Sequence, residues 1–237
     1  MVRIATWNLE RGGRTLRARA AQEETLRALS ADVMILTEPP PTYSGRPGVV
    51  TSPPLRDGPK GGESWVAIVG VTVEALPFDV PYERLAVAAR ARVAGVTVIV
   101  YGAVLPWRAV TNHAPYLVRD GENAPATFAR VLAEHVADIA RLRALHEAPV
   151  IWAGDFNQSV AGPNLGGSVD GRTRLTTALA ELGYGAWNGT SPHAQSGLCS
   201  VDLICGPAGR EPAYQGRIDR VSGEIVMSDH AGYWIEL

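Results

Sequence analysis

Three short polar clusters in this 237-residue chain bring together acids, amides and a histidine: Thr6-Trp7-Asn8 near the start, Gly154-Asp155-Phe156-Asn157 past the middle, and Ser228-Asp229-His230 near the end. A third acid, Glu38, follows the apolar run Val33-Met34-Ile35-Leu36 just before Pro39. Carboxylates with amide and water oxygens are hard ligands, matched to Mg²⁺ or Mn²⁺, which keep several waters and use one or two protein carboxylates alongside a substrate phosphate. A neighbouring acid or histidine then orients or deprotonates the attacking water. Taken singly, each residue has a plain structural reading. Asn8 ends a strand, Asp155 and Asn157 satisfy a turn, Glu38 is a solvated loop acid, and Asp202 is a hydrogen-bonded buried acid. The ordered set is what points to chemistry.

The elements around these residues explain how they would meet. Residues 2–7, 33–36, 150–153, 200–205, 214–218 and 231–237 read as strands, and the β-rich segments 65–73, 85–93 and 96–104 join them, the last two through an Ala94-Gly95 hairpin turn. Helices are expected over 15–29, 125–146 (with Asn123 as its cap) and 173–182. His135 falls on the inner face of the second helix, where a lone histidine is a hydrogen-bonded core residue. Residues 39–62 hold seven prolines and five glycines and read as a long ordered loop. Asn8, Glu38, Asp155 and Asn157 each sit just past a strand, and Asp229 and His230 just before one, so aligned strand ends would gather them at one rim. Strands broken by a few helices give an α/β fold: two mostly antiparallel sheets packed face to face and flanked by helices.

Composition narrows the classes. Hydrophobic residues at 46% and charged residues at 19% are globular values, no apolar run approaches a membrane span, and the first residues lack a signal peptide's pattern. A soluble cytoplasmic protein, built as one domain over 1–237, is the expectation. Cys199 and Cys205 flank one expected strand, too far apart for a disulfide and without partners for zinc. Residues 58–64 do not match a P-loop. A formal net charge of −2 permits nucleic acid as a partner without favouring it.

The set Trp7-Asn8, Leu36-Thr37-Glu38, Gly154-Asp155-Phe156-Asn157, Ser200-Val201-Asp202 and Ser228-Asp229-His230 resembles the endonuclease/exonuclease/phosphatase superfamily along nearly the whole chain. That resemblance implies a four-layer α/β sandwich and metal-dependent hydrolysis of a phosphodiester or phosphomonoester, with a nuclease on DNA or RNA as one alternative and a non-catalytic phospho-ligand or protein-binding module as another. By the same resemblance Glu38 is the main metal ligand, with Asn8 and Asp229 near the ion. Asp155 orients or deprotonates water, Asn157 holds a phosphate oxygen, and His230, oriented by Asp202, binds phosphate or serves as base. Pro81-Tyr82-Glu83-Arg84-Leu85 resembles the segment that supplies a second acid, Glu83. One departure stands out: Ala103-Val104-Leu105-Pro106 is aliphatic where family members often carry a histidine or tyrosine, leaving Tyr101 or His113 as substitutes. Arg11, Arg108 and Arg119 are candidates to pair with phosphate, and Trp107 and His193 to touch substrate.

Overall fold

The computed structural model describes residues 1–13, 15–54, 63–81, 84–163 and 167–237. In chain order β1 (Arg3–Asn8), α1 (Leu16–Leu29) and β2 (Val33–Thr37) form a crossover, followed by β3 (Val49–Thr51), β4 (Val66–Val69), β5 (Val73–Ala75), β6 (Ala86–Val93) and β7 (Val96–Val104). The short α2 (Val110–His113) and the long α3 (Ala124–Leu145) lead to β8 (Val150–Asp155) and α4 (Val169–Leu182). The chain finishes with β9 (Tyr184–Ala186), β10 (Asp202–Pro207), β11 (Tyr214–Ile218), the small β12 (Val221–Ser222) and β13 (Ile225–Val226) ladder, and β14 (Gly232–Glu236).

Two six-stranded sheets result, ordered β11-β14-β1-β2-β4-β3 and β5-β6-β7-β8-β10-β9. Each is antiparallel except for one central parallel pair, β1 with β2 and β7 with β8. Parallel neighbours need a crossover between them, which α1 supplies in the first sheet and the α2–α3 stretch in the second. Helices α1 and α3 begin on side-chain caps: Thr15 Oγ1 accepts from Ala18 N, and Asn123 Oδ1 from Ala126 N, at 3.1 and 3.0 Å.

The alternation of strand residues sorts the core into three layers. Ile4, Ile35 and Ile68 of the first sheet meet Val87, Val100, Ile151 and Ile204 of the second between the sheets. On the far side of the second sheet, Tyr101, Trp152 and Leu203 pack against Phe128, Leu132, Ile139 and Leu175 of α3 and α4. Outside the first sheet, Trp7 and Leu36 pack with Ala21 and Leu26 of α1. Helix, sheet, sheet, helix is therefore the layer order, as expected.

Several boundaries differ from the sequence reading. The segment 65–73 is not one strand: the chain turns after Gly70, where a Cβ would come within 2.5 Å of Asp32 O, and β4 and β5 enter different sheets. Residues 39–62 hold a 3-10 turn at Pro41–Tyr43 and the edge strand β3, while 55–62 lie outside the described residues. Helix α4 starts at Val169, four residues before its expected start, since Ser168 Oγ caps Gly171 N at 2.9 Å. The short strands β9, β12 and β13 were not anticipated. Both cysteines are free, with the buried Cys205 thiol pushed up by desolvation. Among the described residues no helix is long and apolar enough to cross a membrane.

Candidate active site

Parallel β1 and β2 end together, so Asn8 and Glu38 emerge side by side from the first sheet; Asp155 emerges from β8 of the second. Antiparallel partners start at the same rim, with Asp202 opening β10 directly opposite Asp155 and His230 entering just before β14. Two hydrogen bonds then cross from sheet to sheet. Asn8 Nδ2 donates to Asp155 Oδ2 at 3.0 Å and lies 3.4 Å from Glu38 Oε1, and the His230 imidazole Nδ1 lies 2.7 Å from Asp202 Oδ2. Five of the expected residues are thereby one constellation.

Local backbone sets these side chains. Gly154, at φ +140°, puts the start of the Asp155 turn against β7, where an added Cβ would lie 2.0 Å from Ala103 O; only glycine fits. Asn157 and Glu38 hold left-handed conformations at φ +50° and +46°, which L-residues with side chains adopt at a cost. Asn157 N donates to Asp155 Oδ1 at 2.9 Å and its Nδ2 to Leu105 O at 3.0 Å, so this residue fixes the Asp155 carboxylate. Asn8 Oδ1 accepts from Glu10 N at 2.9 Å. Its oxygen also meets the chain's own backbone, and its amide nitrogen bridges the two carboxylates.

Burial and charge make the electrostatics uneven. Desolvation, reinforced by Asp202, lifts Asp155 to about 6, and desolvation likewise raises Glu38, with Arg11 opposing and Asp155 adding. Asp202, fully buried, is raised by the same cause although His230 opposes it. Burial alone would lower His230, but Asp202, Asp155 and the exposed Asp229 outweigh it and hold the imidazole well above its ordinary value. Asp155, Asp202 and His230 offer ligand atoms within 4.8 Å of one another. Asp202 and His230 already bond each other through Oδ2 and Nδ1, whereas Glu38 and Asp155 repel across the Asn8 amide, a surplus of negative oxygen that suits a hard divalent ion.

The remaining candidates divide. Trp107 and Arg108 line two clefts that meet at Asn157, one of which also holds His193 and His230 with ring centroids 5.8 Å apart. Arg11 reaches Glu38 at 3.5 Å, pairs with Glu63 and covers the Trp65 ring at 5.0 Å, so its charge is shared between two acids. Asp229 Oδ1 is 3.8 Å from His230 Nε2. Three residues do not join the site: Arg119 pairs with Glu134 of α3 at 3.0 Å, His113 is exposed on α2, and Tyr101 is fully buried, bonded to His135 and Asp138. Glu83 lies outside the described residues.

A family model described as the endonuclease/exonuclease/phosphatase family matches residues 5–230. The chain belongs to that family. Among solved structures, an AP endonuclease from Archaeoglobus fulgidus superposes with a TM-score of 0.65 at 17% identity, covering 99% of this chain and 98% of that one. The 3′ phosphatase NExo from Neisseria, bound to a product DNA hairpin, gives 0.63 at 19% identity over 100% and 99%. The endonuclease domain of TRAS1, a telomere-specific non-LTR retrotransposon, gives 0.62 at 19% over 99% and 96%. No individually curated protein matches the sequence significantly.

For a member of the endonuclease/exonuclease/phosphatase family, the end of β7 is bare: Val104 and Leu105 are buried aliphatics, and neither Tyr101 nor His113 stands in for the missing side chain. Residues to which the sequence reading gave no role hold the site from beneath. Ser228 Oγ donates to Asn8 O at 2.7 Å and accepts from His230 N at 3.1 Å, tying the two ends of the chain together. Asn188 grips the start of β10 through Asp202 O and Ile204 N, at 2.8 and 2.7 Å. Ser228 adjoins the recognised acid and histidine and was legible in principle; Asn188, in a turn after β9, carried no pattern.

Proposed function

We propose that this chain is a Mg²⁺- or Mn²⁺-dependent phosphoesterase that hydrolyses a phosphodiester or phosphomonoester by in-line attack of water. The supporting observation is the pair of cross-sheet bonds that joins Asn8 to Asp155 and Asp202 to His230 at one rim beside Glu38. With a titration point lifted to about 6, Asp155 is suited to take a proton from water near neutral pH. His230, held cationic by Asp202, is suited to grip a phosphoryl oxygen through Nε2–H, because Nδ1 is turned to Asp202. Asn157 keeps the Asp155 carboxylate aimed and leaves one amide hydrogen for the phosphate.

Glu38 is the residue we assign to the ion, with Asp155 beside it across the Asn8 amide and Asp229 the further acid on the rim. When bound, the ion supplies positive charge against the phosphoryl oxygens and the leaving group. That assignment suits a site whose β7 end offers no acid of its own. A nucleic-acid substrate is the second reading, supported by the NExo relative seen with product DNA and by Trp107 and Arg108 at the cleft mouth.

The test is a phosphoesterase panel of plasmid DNA, abasic duplex, RNA, inositol phosphates, sphingomyelin and aryl phosphodiesters, with Mg²⁺, with Mn²⁺ and with EDTA. Turnover that EDTA abolishes and either metal restores is the expected result. Metal-bound protein inert on every substrate would favour the binding-module alternative.

A further inference from the structure

Glu63 has no part in the chemistry proposed above, yet it is only 8% exposed, and Arg11 is its sole partner among the described residues. A buried carboxylate stripped of its cation is costly, so this pairing is part of the build. Arg11 also faces Glu38, but less closely: Nη1 meets Glu63 Oε2 in a tight ion pair, whereas Nε stays 3.5 Å from Glu38 Oε2, beyond ordinary hydrogen-bond length. We infer that Glu63 is a positioning residue that draws the Arg11 guanidinium off Glu38, and that the division of this one cation between two acids sets how tightly the rim holds a divalent ion. The inference rests on the phosphoesterase reading for Glu38 as the residue that meets the ion, and it goes beyond that reading by naming what tunes its affinity.

Three observations carry it. First, backbone bonds continue the first sheet past its strand ends: Leu9 N donates to Thr37 O at 2.9 Å, Arg11 N to Glu38 O at 2.8 Å and Glu38 N to Trp65 O at 2.9 Å. Glu38 is thereby flanked by Arg11 on one side and by the segment carrying Glu63 on the other. Glu10 and Arg11 take left-handed φ of +46° and +58° in this turn, a conformation that residues with side chains adopt at a cost. Second, the guanidinium is held from its face. It lies 5.0 Å from the Trp65 ring, and Trp65 is itself fixed, its Nε1 donating to the Tyr116 hydroxyl at 3.2 Å and its ring 5.6 Å from that of Trp107. Third, the approach to β4 is pinned: Ser52 Oγ accepts from Trp65 N and Val66 N at 3.0 and 3.2 Å, and Ser64 Oγ donates to Ser52 O at 2.8 Å. With both partners anchored, what can vary is how the charge divides between Glu38 and Glu63. A cation drawn onto Glu38 opposes a divalent ion twice, by neutralising the acid and by repelling the ion.

The experiment is a Mn²⁺ titration of the full chain, read by calorimetry and by the electron paramagnetic resonance signal of unbound Mn²⁺, with no substrate present. Wild type is compared with Arg11→Met, Arg11→Gln, Glu63→Gln, the double variant Arg11→Met/Glu63→Gln, and Glu38→Gln; thermal melts establish that each is folded. Arg11→Met and Arg11→Gln remove the charge in two ways, one keeping the stem over Trp65 and the other a hydrogen-bonding end, so the loss of either protein still leaves the sign measurable. Both should bind Mn²⁺ more tightly, by about fivefold or more, a modest share of what one charge exerts on its neighbour near a protein surface. Glu63→Gln should bind it more weakly by a similar factor, because the guanidinium then turns wholly to Glu38. On the Arg11→Met background the Glu63→Gln loss should shrink to within about twofold, the mark of a residue that acts through another. Unchanged affinity in both Arg11 variants overturns the inference, and so does a Glu63→Gln loss that persists in full without Arg11, which would mean that Glu63 meets the ion itself. Glu38→Gln tests the reading beneath. Mn²⁺ binding abolished there, with no response to Arg11 or Glu63, sinks the inference alone, whereas binding that Glu38→Gln leaves intact sinks the assignment of the ion and the inference with it.

Discussion

Two histidines lie on either side of the second sheet, each bonded through Nδ1 to an oxygen, and their surroundings push them in opposite directions. His230 Nδ1 meets Asp202 directly at 2.7 Å and is held well above its ordinary value. His135 Nδ1 meets the Tyr101 hydroxyl at 2.8 Å, which in turn donates to Asp138 Oδ2 at 2.9 Å. Burial drives His135 down to about 3, and Arg84, already paired with Asp138, adds to the fall. The ingredients are alike: imidazole, carboxylate, little water. What differs is whether the carboxylate's charge reaches the ring or has been claimed by a guanidinium. A buried histidine–acid cluster is thus no mark of catalysis by itself; the rim position and the unclaimed charge distinguish the working one.

The comparison breaks most visibly in activity. Assayed on the substrate the panel identifies, Asp155→Asn and His230→Ala should each lower kcat by on the order of 10²-fold or more, whereas His135→Gln should stay within about threefold. If Asp155 and His230 act on one water and one phosphate together, the double variant will lose far less than the product of the single losses. Comparable damage from His135→Gln would erase the distinction.

Removing Asp202 probes the charge itself. Asp202→Asn should cost about tenfold in rate, the scale of a lost orienting partner, and the His230 titration followed by NMR in metal-free protein should move down. The stability sign follows from that shift. A histidine raised in the folded state contributes stability that is full below its unfolded value near 6.5 and is lost as pH rises through the folded value. The variant should therefore be most destabilised relative to wild type at pH 5–6 and least at alkaline pH. A larger deficit at alkaline pH would contradict the pairing.

Smaller effects belong to the structural histidine. Tyr101→Phe leaves His135 and one Asp138 oxygen without their shared partner and should cost about 1–3 kcal/mol in denaturant unfolding, with activity unchanged. His135 works in the opposite sense to His230. Depressed to about 3, it stays neutral while the unfolded chain takes up a proton, so wild-type stability should fall as pH drops from about 6.5 towards 3. His135→Gln should flatten that acid limb in thermal melts; an unaltered limb would mean that other groups set it.

The rim was legible in the sequence because each of its members adjoins an apolar run that ends, and strand ends align. The helical cap at Asn123 and the aliphatic end of β7 were readable for similar local reasons. The Tyr101–Asp138 bond was not, since a residue of β7 meets one of α3 with no motif at that spacing. Arg119 illustrates the opposite error: a loop arginine near the site in sequence, yet drawn to Glu134 by an acidic face of α3. The splitting of 65–73 between two sheets, with Gly70 lying against Asp32 at the turn, is a relation between distant segments that periodicity does not reveal.

The two bonds that cross between the sheets have a mechanical consequence. Asn8 and His230 ride on one slab of the sandwich, Asp155 and Asp202 on the other, so sliding one slab past the other by even an ångström would stretch both bonds at once. The rim is therefore a gauge of shear in the core. Side chains such as Ile35, Ile68, Val100 and Ile151, far from any phosphate, set the alignment that the gauge reads. Wear in that apolar layer would register as a loss of turnover while the molecule still holds its shape.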